Sequence, residues 1–216
     1  MNLMQRRKEL LNFKKSKLPY PYQEVEYIES TGTQYINIPF NNTNASKNKY
    51  YYKYMHRNPI SKSSTLLGNA TGTNRIGMLW FRTDNTTRMS IGSVTSGSSV
   101  FKVDTILQQQ LEVTVEVDNT NNKYSVNYNG SEYNDISFSG TSKTSSGLKI
   151  FNSGSGTSQA SNIVLYNLKI WNDNTLIRNF IPCYRKTDNV IGVYDLVTSI
   201  FYGATGTLTV GNDVFY

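Results

Sequence analysis

The chain has very little of what a disulfide framework or a membrane anchor requires. Cys183 is the only cysteine among the 216 residues, so no disulfide can form within the chain and a packed core must stabilise the fold. No uninterrupted apolar run reaches the roughly 18–20 residues that a membrane span needs. After Lys8 the N-terminus offers only Leu10, Leu11 and Phe13 before further lysines, which is too short for the apolar region of a signal peptide. Neither a membrane location nor export through a standard signal is expected.

Charged residues are also scarce, at 17% of the chain, and they are unevenly placed. Of the formal net charge of +7, residues 1–17 carry +5, from six lysines and arginines against Glu9, and the remaining chain carries +2. A positive charge confined to one short segment argues against a basic nucleic-acid groove across the folded part of the chain.

What the chain has in quantity is tyrosine, with 16 residues, together with frequent Asn, Ser, Thr and Gly. Aromatic residues favour strands, and the small polar residues favour turns. From Val25 onward apolar residues recur with period two, most clearly in a hairpin where Leu111, Val113, Val115 and Val117 alternate with polar residues. The pattern predicts one all-β domain, a two-sheet antiparallel jelly-roll sandwich.

Alternation in two further segments predicts which side chains are buried. In residues 163–171 the even-numbered positions form the more apolar face, which is expected to point into the core. That face consists of Val164, Tyr166, Leu168 and Ile170. In residues 50–54 the ring of Tyr51 points away from the three other tyrosines, so one of the two sets is expected to lie in the core.

Residues 1–22 precede the period-two pattern and are predicted to form a basic amphipathic arm and a proline joint, with the sandwich over residues 23–216. The arm is expected to be a short helix or an extended segment, and Pro19 and Pro21 end any helix. A solvated tail, a nucleic-acid contact and an anchoring peptide are all compatible with its charge. Its apolar residues favour anchoring on a larger assembly. The predicted anchoring residues are Leu3, Arg6, Arg7, Leu10, Leu11, Phe13 and Lys14.

The two ends of the predicted sandwich carry motifs of one known type of domain. EYIESTGTQYI spans residues 26–36, and FIPCYRK, GVYDL and FYGATGT follow at 180–186, 192–196 and 201–207. In this order they resemble the laminin-G-like, concanavalin A-like lectin and glucanase sandwich of phage virion proteins and of gut-bacterial surface proteins. The match covers nearly all of residues 24–211 and excludes the arm.

The matched motifs have a structural interpretation. Phe180, Ile181 and Tyr184 are bulky and are expected to pack in the core. Pro182 cannot donate to a strand ladder and suits a strand edge or bend. Asp195 is expected to accept backbone amides in a turn. These motifs therefore predict a fold, and a fold by itself does not define a function.

The resemblance implies a non-enzymatic structural protein of a bacteriophage virion, assembled in the host cytoplasm. It would be a capsid decoration, a head fibre or a tail component, joined to other virion proteins through its arm in a homo-oligomeric or symmetric assembly. The exposed sandwich would adhere to host or mucosal glycans. The alternative is a carbohydrate-binding module of a gut-bacterial surface protein, and a glycoside hydrolase is the weaker third hypothesis.

Exposed aromatic side chains are the residues expected to bind a carbohydrate, because their rings offer flat apolar surfaces. The candidates are Tyr51, Trp80 and Tyr133. The competing interpretation places such rings in the core or in a stacked outer face.

Paired carboxylates, which glycoside hydrolases need, have weak support in the sequence. Glu112 and Glu116 share a strand face, but Thr114 stands where a middle acid would be. Glu24 and Glu26 form a second pair without a third acid. A solvated polar face explains both pairs, so no catalytic residue is assigned and the chain is predicted not to be an enzyme.

The other chemistry-bearing residues support neither nucleophilic catalysis nor a cofactor. His56 is the only histidine, and Cys183 is expected to be a buried, unreactive thiol. Laminin-G-like sandwiches often hold a calcium ion at a rim, so the resemblance leaves such a site open at acids near turns: Asp104, Asp118 and Asp135. Calcium takes six to eight oxygen ligands, and no compact Asp-x-Asp-x-Asp loop is present. Ordinary turn acids are therefore favoured, and no cofactor or metal is predicted.

Overall fold

A computed structural model describes residues 16–69, 74–93, 101–152 and 163–216. These residues form eighteen β-strands and no α-helix. The strands are β1 (Tyr22–Glu24), β2 (Ile28–Ser30), β3 (Tyr35–Ile38), β4 (Lys47–His56), β5 (Ser64–Thr65), β6 (Leu67–Asn69), β7 (Asn74–Phe81), β8 (Thr86–Ser93), β9 (Phe101–Asp104), β10 (Leu111–Asp118), β11 (Lys123–Tyr128), β12 (Ser131–Ser137), β13 (Leu148–Ile150), β14 (Ile163–Asn172), β15 (Thr175–Arg185), β16 (Val190–Asp195), β17 (Ile200–Thr205) and β18 (Thr209–Val210). Across these four ranges, no helix has the length and apolar character of a membrane span.

The strands form two antiparallel sheets, as the sequence pattern predicts. The larger sheet follows the order β12-β11-β10-β4-β14-β15-β16-β17-β3-β13-β6, with β1 beside β15, β2 beside β14 and β18 beside β2. The smaller sheet has the order β5-β7-β8-β9. The side of the larger sheet that is turned away from the smaller sheet is called the outer face below.

Side-chain alternation decides which residues fill the space between the sheets. In β10 the apolar residues from Leu111 to Val117 are buried, while Glu112 and Glu116 are exposed, which confirms the predicted hairpin. In β4 the rings of Tyr50, Tyr52 and Tyr54 have no exposed surface. These three tyrosines are therefore the core set, and Tyr51 lies on the outer face.

The two sheets meet through the tyrosines of the larger sheet and the β7 strand of the smaller one. The hydroxyl of Tyr52 donates a hydrogen bond to the backbone carbonyl of Gly77. The rings of Tyr54 and Phe81 lie 5.4 Å apart, centroid to centroid. Hydroxyl groups that are buried in this way need a partner, and a backbone carbonyl of the opposite sheet supplies one here.

The matched FIPCYRK segment forms the second half of β15, and its bulky residues are divided between two clusters. Ile181 is partly buried against Leu18, Cys183 and Tyr194 and not in the main core, because it alternates with Phe180 along the strand. Phe180 is buried in the main core, and Tyr184 packs against it. The carbonyl of Pro182 accepts the amide of Val25 at 3.0 Å, at the point where β15 exchanges its neighbour β14 for β1. Pro182 therefore lies between the end of the β14 pairing and the start of the β1 pairing, where its missing backbone N–H interrupts neither ladder.

Asp195 ends β16 and confirms the predicted turn role. Its carboxylate has no exposed surface and accepts the backbone amides of Asn179 at 2.9 Å and Val197 at 3.1 Å. The hydroxyl of Thr198 donates to the second carboxylate oxygen at 2.7 Å. Three donors compensate the burial of this charge.

The proline joint lies against the sandwich. Leu18 is buried with Cys183 and Tyr194, and the amide of Lys186 donates to the carbonyl of Pro21 at 2.9 Å. Residues 1–15 lie outside the described residues, so the arm, its helix and its anchoring role stay predictions, as does the domain boundary at residue 22. The anchoring residues concerned are Leu3, Arg6, Arg7, Leu10, Leu11, Phe13 and Lys14.

The alternation predicted for residues 163–171 is wrong in its first half, because β14 contains a β-bulge. Opposite β4, Leu165 pairs with Tyr54 and Asn167 pairs with Lys53, so Tyr166 is the extra residue. An extra residue inverts the faces on its two sides. Leu165 consequently points into the core, and Tyr166 points outward, against the prediction.

Candidate functional site

A shallow, open cleft of about 480 Å³ lies on the outer face of the larger sheet beside the bulge. Its lining residues come from four separate places in the chain, and two of them are aromatic. They are Glu26, Tyr27, Lys53, Gln110 and Tyr166.

Each lining side chain is placed by a simple local cause. The β-bulge turns Tyr166 outward, and alternation in β4 puts Lys53 on the same face. Tyr27 directly precedes β2, and Gln110 directly precedes β10. Glu26 is tied to the C-terminal segment, because its carboxylate accepts the amide of Asn212 at 3.3 Å.

The two tyrosine rings form the apolar part of the cleft. Their centroids lie 5.7 Å apart with an interplanar angle of 66°, an edge-to-face contact between Tyr27 and Tyr166. The guanidinium of Arg57 lies 5.2 Å from the Tyr27 ring and forms an ion pair of 3.0 Å with Glu29. Burial raises the pKa of Tyr166, so its hydroxyl is protonated at neutral pH and can donate a hydrogen bond.

A polar row continues from the cleft along β4. Lys53 forms an ion pair of 3.0 Å with Glu112, and the hydroxyl of Tyr51 donates to the same carboxylate. Burial, together with the charge of Glu112, raises the pKa of Tyr51 to about 12. Hydrogen bonds from Lys53 and Tyr51 lower the pKa of Glu112, so this carboxylate stays ionised. The ammonium of Lys169 lies 5.6 Å from the Tyr51 ring.

The row ends in a polar groove of about 560 Å³ between β4, β10 and β11. There Lys49 forms an ion pair of 2.8 Å with Glu116 and lies 5.7 Å from the ring of Trp171. The outer face thus carries aromatic rings beside ammonium and carboxylate groups along its length.

The three aromatic residues that the sequence suggested for carbohydrate binding lie on different surfaces. Tyr51 belongs to the outer face, next to the cleft. Trp80 lies in β7 of the smaller sheet. Tyr133 lies on β12, and its ring packs 4.9 Å from that of Phe101. The structure brings only Tyr51 close to the cleft.

The carboxylates considered for catalysis are engaged in ordinary contacts. Glu112 and Glu116 each have a lysine partner. Glu24 is buried and accepts the hydroxyl of Tyr216 at 2.7 Å. Whether the chain is an enzyme stays a prediction.

The acids considered for calcium lie in two places. Asp118 and Asp135 border the polar groove, and Asp104 lies in the smaller sheet. Asp118 accepts the amides of Thr120 and Asn121 at 2.9 and 3.0 Å, and Asp135 contacts Lys123 at 3.2 Å. In the part of the chain that the structure describes, no group of three or more His, Cys, Asp or Glu side chains is arranged to hold a metal ion.

His56 and Cys183 lie in separate contact groups. His56 is fully buried against the ring of Phe81 at 5.1 Å. Cys183 is fully buried with Leu18 and Tyr194, as its predicted character requires. The two side chains therefore do not form a nucleophile and base pair.

Tyr27 and Tyr166, the two rings of the cleft, were not predicted from the sequence. Strict alternation assigned Tyr166 to the core, and Tyr27 lay inside a motif that was interpreted only as a family feature. The excess of tyrosine around residue 51 indicated β4, which contributes Lys53 to the cleft but neither of its rings.

Comparison with protein-family models finds no match, and comparison with curated protein sequences finds none either. Solved structures do resemble the chain. A candidate carbohydrate-binding protein from Bacteroides ovatus superposes with a TM-score of 0.59 at 12% identity, over 88% of this chain and 62% of that one. A heptameric SAP-like pentraxin from Limulus polyphemus superposes with a TM-score of 0.53 at 11% identity, over 88% and 94%.

A sialidase from Trypanosoma rangeli matches more weakly, with a TM-score of 0.45 at 16% identity. The match covers 58% of this chain, and the chain spans about a fifth of the sialidase, 20% of its length. Identities this low show the fold alone. Together with the sheet order, the two better superpositions show that the chain adopts the concanavalin A-like jelly-roll sandwich.

Proposed function

We propose that the chain is a non-catalytic carbohydrate-binding module whose sugar site is the cleft lined by Tyr27 and Tyr166. The observation that carries the proposal is the outward turn of Tyr166 at the β-bulge, which sets its ring edge-to-face against Tyr27 in a cleft that Lys53 and Gln110 also line. A sugar ring has apolar C–H faces that stack on aromatic rings and hydroxyl groups that need hydrogen-bond partners. The cleft offers both kinds of contact.

The surroundings of the cleft support a binding role over hydrolysis. Glycoside hydrolases place two carboxyl groups on either side of the bond that they cleave, about 5–9.5 Å apart. Beside the cleft, Glu112 is held by Lys53 and Tyr51, and hydrogen bonds to it lower its pKa. A carboxylate that is neutralised by a lysine is a poor general acid. The fold of the candidate carbohydrate-binding protein from Bacteroides ovatus supports the same role.

A glycan array probed with the full chain tests the proposal. We expect retention on a limited set of glycans, and loss of that retention in Tyr166→Ala and in Tyr27→Ala. Tyr20→Ala is the matched control, because Tyr20 is 85% exposed and lies outside the cleft. Isothermal titration of the best glycan should show at least about a tenfold loss of affinity, which corresponds to removal of one stacked ring.

Several outcomes contradict the proposal. Retention that is unchanged in both cleft variants places the sugar elsewhere, and Trp80→Ala and Tyr133→Ala then test the other two predicted rings. Release of free sugar from the bound glycan would show catalysis and overturn the non-catalytic part. Circular dichroism of each variant establishes that it is folded.

The resemblance to phage virion domains supports a location for this module, namely a bacteriophage virion, where the arm would join it to other virion proteins. Deleting residues 1–15 leaves Leu18 and its contacts in place, so the sandwich should still fold. Mass spectrometry of purified virions should detect the full chain and should not detect the deleted form. Equal incorporation of both forms would contradict anchoring, and absence of the full chain from virions would favour the gut-bacterial surface module.

A further inference from the structure

The outer side of the smaller sheet carries an unusual group of cations around Trp80. The guanidinium carbon of Arg82 lies 4.6 Å from the Trp80 ring centroid, and that of Arg75 lies 5.2 Å from it. Both distances are those of cation–π contacts, which fix the orientation of a planar guanidinium. Trp80 therefore holds two arginines in place at once.

Neither of these two arginines has a carboxylate partner within the described ranges 16–69, 74–93, 101–152 and 163–216. Among the described residues, the Arg75 guanidinium donates a hydrogen bond to the hydroxyl of Ser90 at 3.2 Å. Burial lowers the pKa of Arg75, because removal of water disfavours the charged guanidinium. A bound anion would stabilise that charge. The group stays ionised at neutral pH, because the ordinary pKa of an arginine lies far above neutral.

The neighbouring strands extend the positive surface. Arg88 stands opposite Trp80 on β8, and Lys102 stands opposite Arg88 on β9. Like charges directly opposite each other in a sheet are destabilising unless a counter-charge is near. Asp84 supplies negative charge here, because its carboxylate lies 2.7 Å from Arg88 and 3.7 Å from Lys102. A second carboxylate, Asp104, lies at the end of β9. Four cations thus face two carboxylates, and among the described residues neither carboxylate forms an ion pair with Arg75 or Arg82.

We propose that Arg75 and Arg82, stacked on Trp80, bind the carboxylate or sulfate groups of an acidic polysaccharide. A guanidinium presents parallel N–H donors that match the oxygen atoms of such a group in a bidentate contact. Arg88 and Lys102 add long-range attraction along the same sheet. This site is independent of the cleft lined by Tyr27 and Tyr166, because it lies on the other sheet.

The geometry favours a polysaccharide over a nucleic acid as the source of the anionic groups. Single-stranded nucleic acids are held by bases that stack on free aromatic faces. The Trp80 ring is instead covered by two guanidinium groups, so the anionic group is the part of the ligand that this site recognises. The cations also occupy a short patch over three strands, about 10 Å wide.

Titration of the full chain with polygalacturonate, dextran sulfate, neutral dextran and single-stranded DNA tests the proposal. We expect binding of polygalacturonate, dextran sulfate or both, weakened by added salt, and none of neutral dextran. Arg75→Gln and Arg82→Gln should each weaken this binding at least about tenfold, since a charge-assisted hydrogen bond is lost. Arg82→Lys keeps the positive charge but loses the parallel N–H donors of the guanidinium, so this variant should lose part of the affinity.

Arg185→Gln is the matched control, because Arg185 also lies over an aromatic ring, at 5.4 Å from Phe201, but has a carboxylate partner, Asp188, at 2.6 Å. Its affinity for the acidic polysaccharides should change less than about twofold. Unchanged affinity in both Arg75→Gln and Arg82→Gln would overturn the proposal and assign the binding to the basic arm. Tighter binding of DNA than of either acidic polysaccharide would also overturn it. Tyr166→Ala should leave this binding intact, so a loss in that variant contradicts the independence of the two sites.

Discussion

Gly77 of β7 lies directly against the ring of Tyr50 in β4, and a Cβ atom on Gly77 would come within 2.8 Å of that ring. Gly77 also has a φ of +48°, which L-residues with a side chain rarely adopt. Because Tyr50 has no exposed surface, its ring has little room to move away. At this position the two sheets approach each other so closely that a side chain is excluded.

Substitution Gly77→Ala should therefore lower the free energy of unfolding by about 2–4 kcal/mol, from overpacking and from backbone strain together. Gly130→Ala is the matched control, since Gly130 has a φ of +89° and a Cβ atom added there would meet no other atom within 4 Å. It should lose only the strain, about 1 kcal/mol. Urea unfolding measures the free energy of unfolding of both variants. Equal losses would show that the Tyr50 ring moves to accommodate the added methyl group at little energetic cost.

The hairpin and the core tyrosines were predictable because their cause is local. In β10 and in residues 50–54, one period-two pattern separates buried from exposed positions without interruption. The turn role of Asp195 was predictable for the same reason, because the donors that it accepts include amides next to it in the chain, such as that of Val197.

The cleft was not predictable, because the bulge at Tyr166 depends on the register of β14 against β4. Residues 163–166 are apolar or aromatic at every position, so their hydrophobic pattern does not show where an extra residue is inserted. The arginine pair on Trp80 was hidden for a related reason. Periodicity assigns Trp80 to a face of its own strand, but it does not show which sheet that strand joins or which cations reach the ring.

The fully buried His56 predicts a pH-dependent stability. Its Nδ1 lies 2.8 Å from the carbonyl oxygen of Asn58, and its Nε2 is buried with no hydrogen-bond partner among the described residues. Burial lowers the pKa of His56 below its ordinary value of 6.5. The unfolded chain then binds a proton more readily than the folded one, so stability should fall as pH drops below about 6.5 and level off below the folded-state pKa. Well above pH 6.5 the histidine is neutral in both the folded and the unfolded chain, so it does not change the stability there.

Urea unfolding between about pH 7.5 and about pH 5.5 measures this effect, in a window where other ordinary side chains change little. His56 is the only histidine of the chain, so His56→Phe is a direct control. The variant should lose most of the pH dependence, whatever its absolute stability. A slope equal to that of the unsubstituted chain would assign the dependence to other groups.

The single thiol should be chemically silent in the folded protein. Cys183 has no exposed surface, and burial, with a smaller contribution from the charge of Glu24, raises its pKa to about 12. Since the thiolate is the reactive form, Ellman's reagent at neutral pH should not label the folded chain and should label one thiol once guanidinium unfolds it.

Ser131→Cys supplies the comparison, because Ser131 is exposed on β12. This variant should react at one thiol in the folded state, which shows that the reagent is active under the same conditions. Labelling of Cys183 in the folded chain at a similar rate would mean that the group around Leu18 opens readily.

The placement of Tyr166 and Trp80 on opposite sheets has a consequence for assembly. The inner sides of both sheets meet in the core, so the two surfaces face away from each other. A single polymer lying flat on one surface cannot reach the other, so the two proposed sites would each take a separate polymer. A protein chain that binds a glycan at each of these two surfaces would cross-link two glycan chains. Many copies of the protein on one particle would then give firm attachment from weak individual contacts.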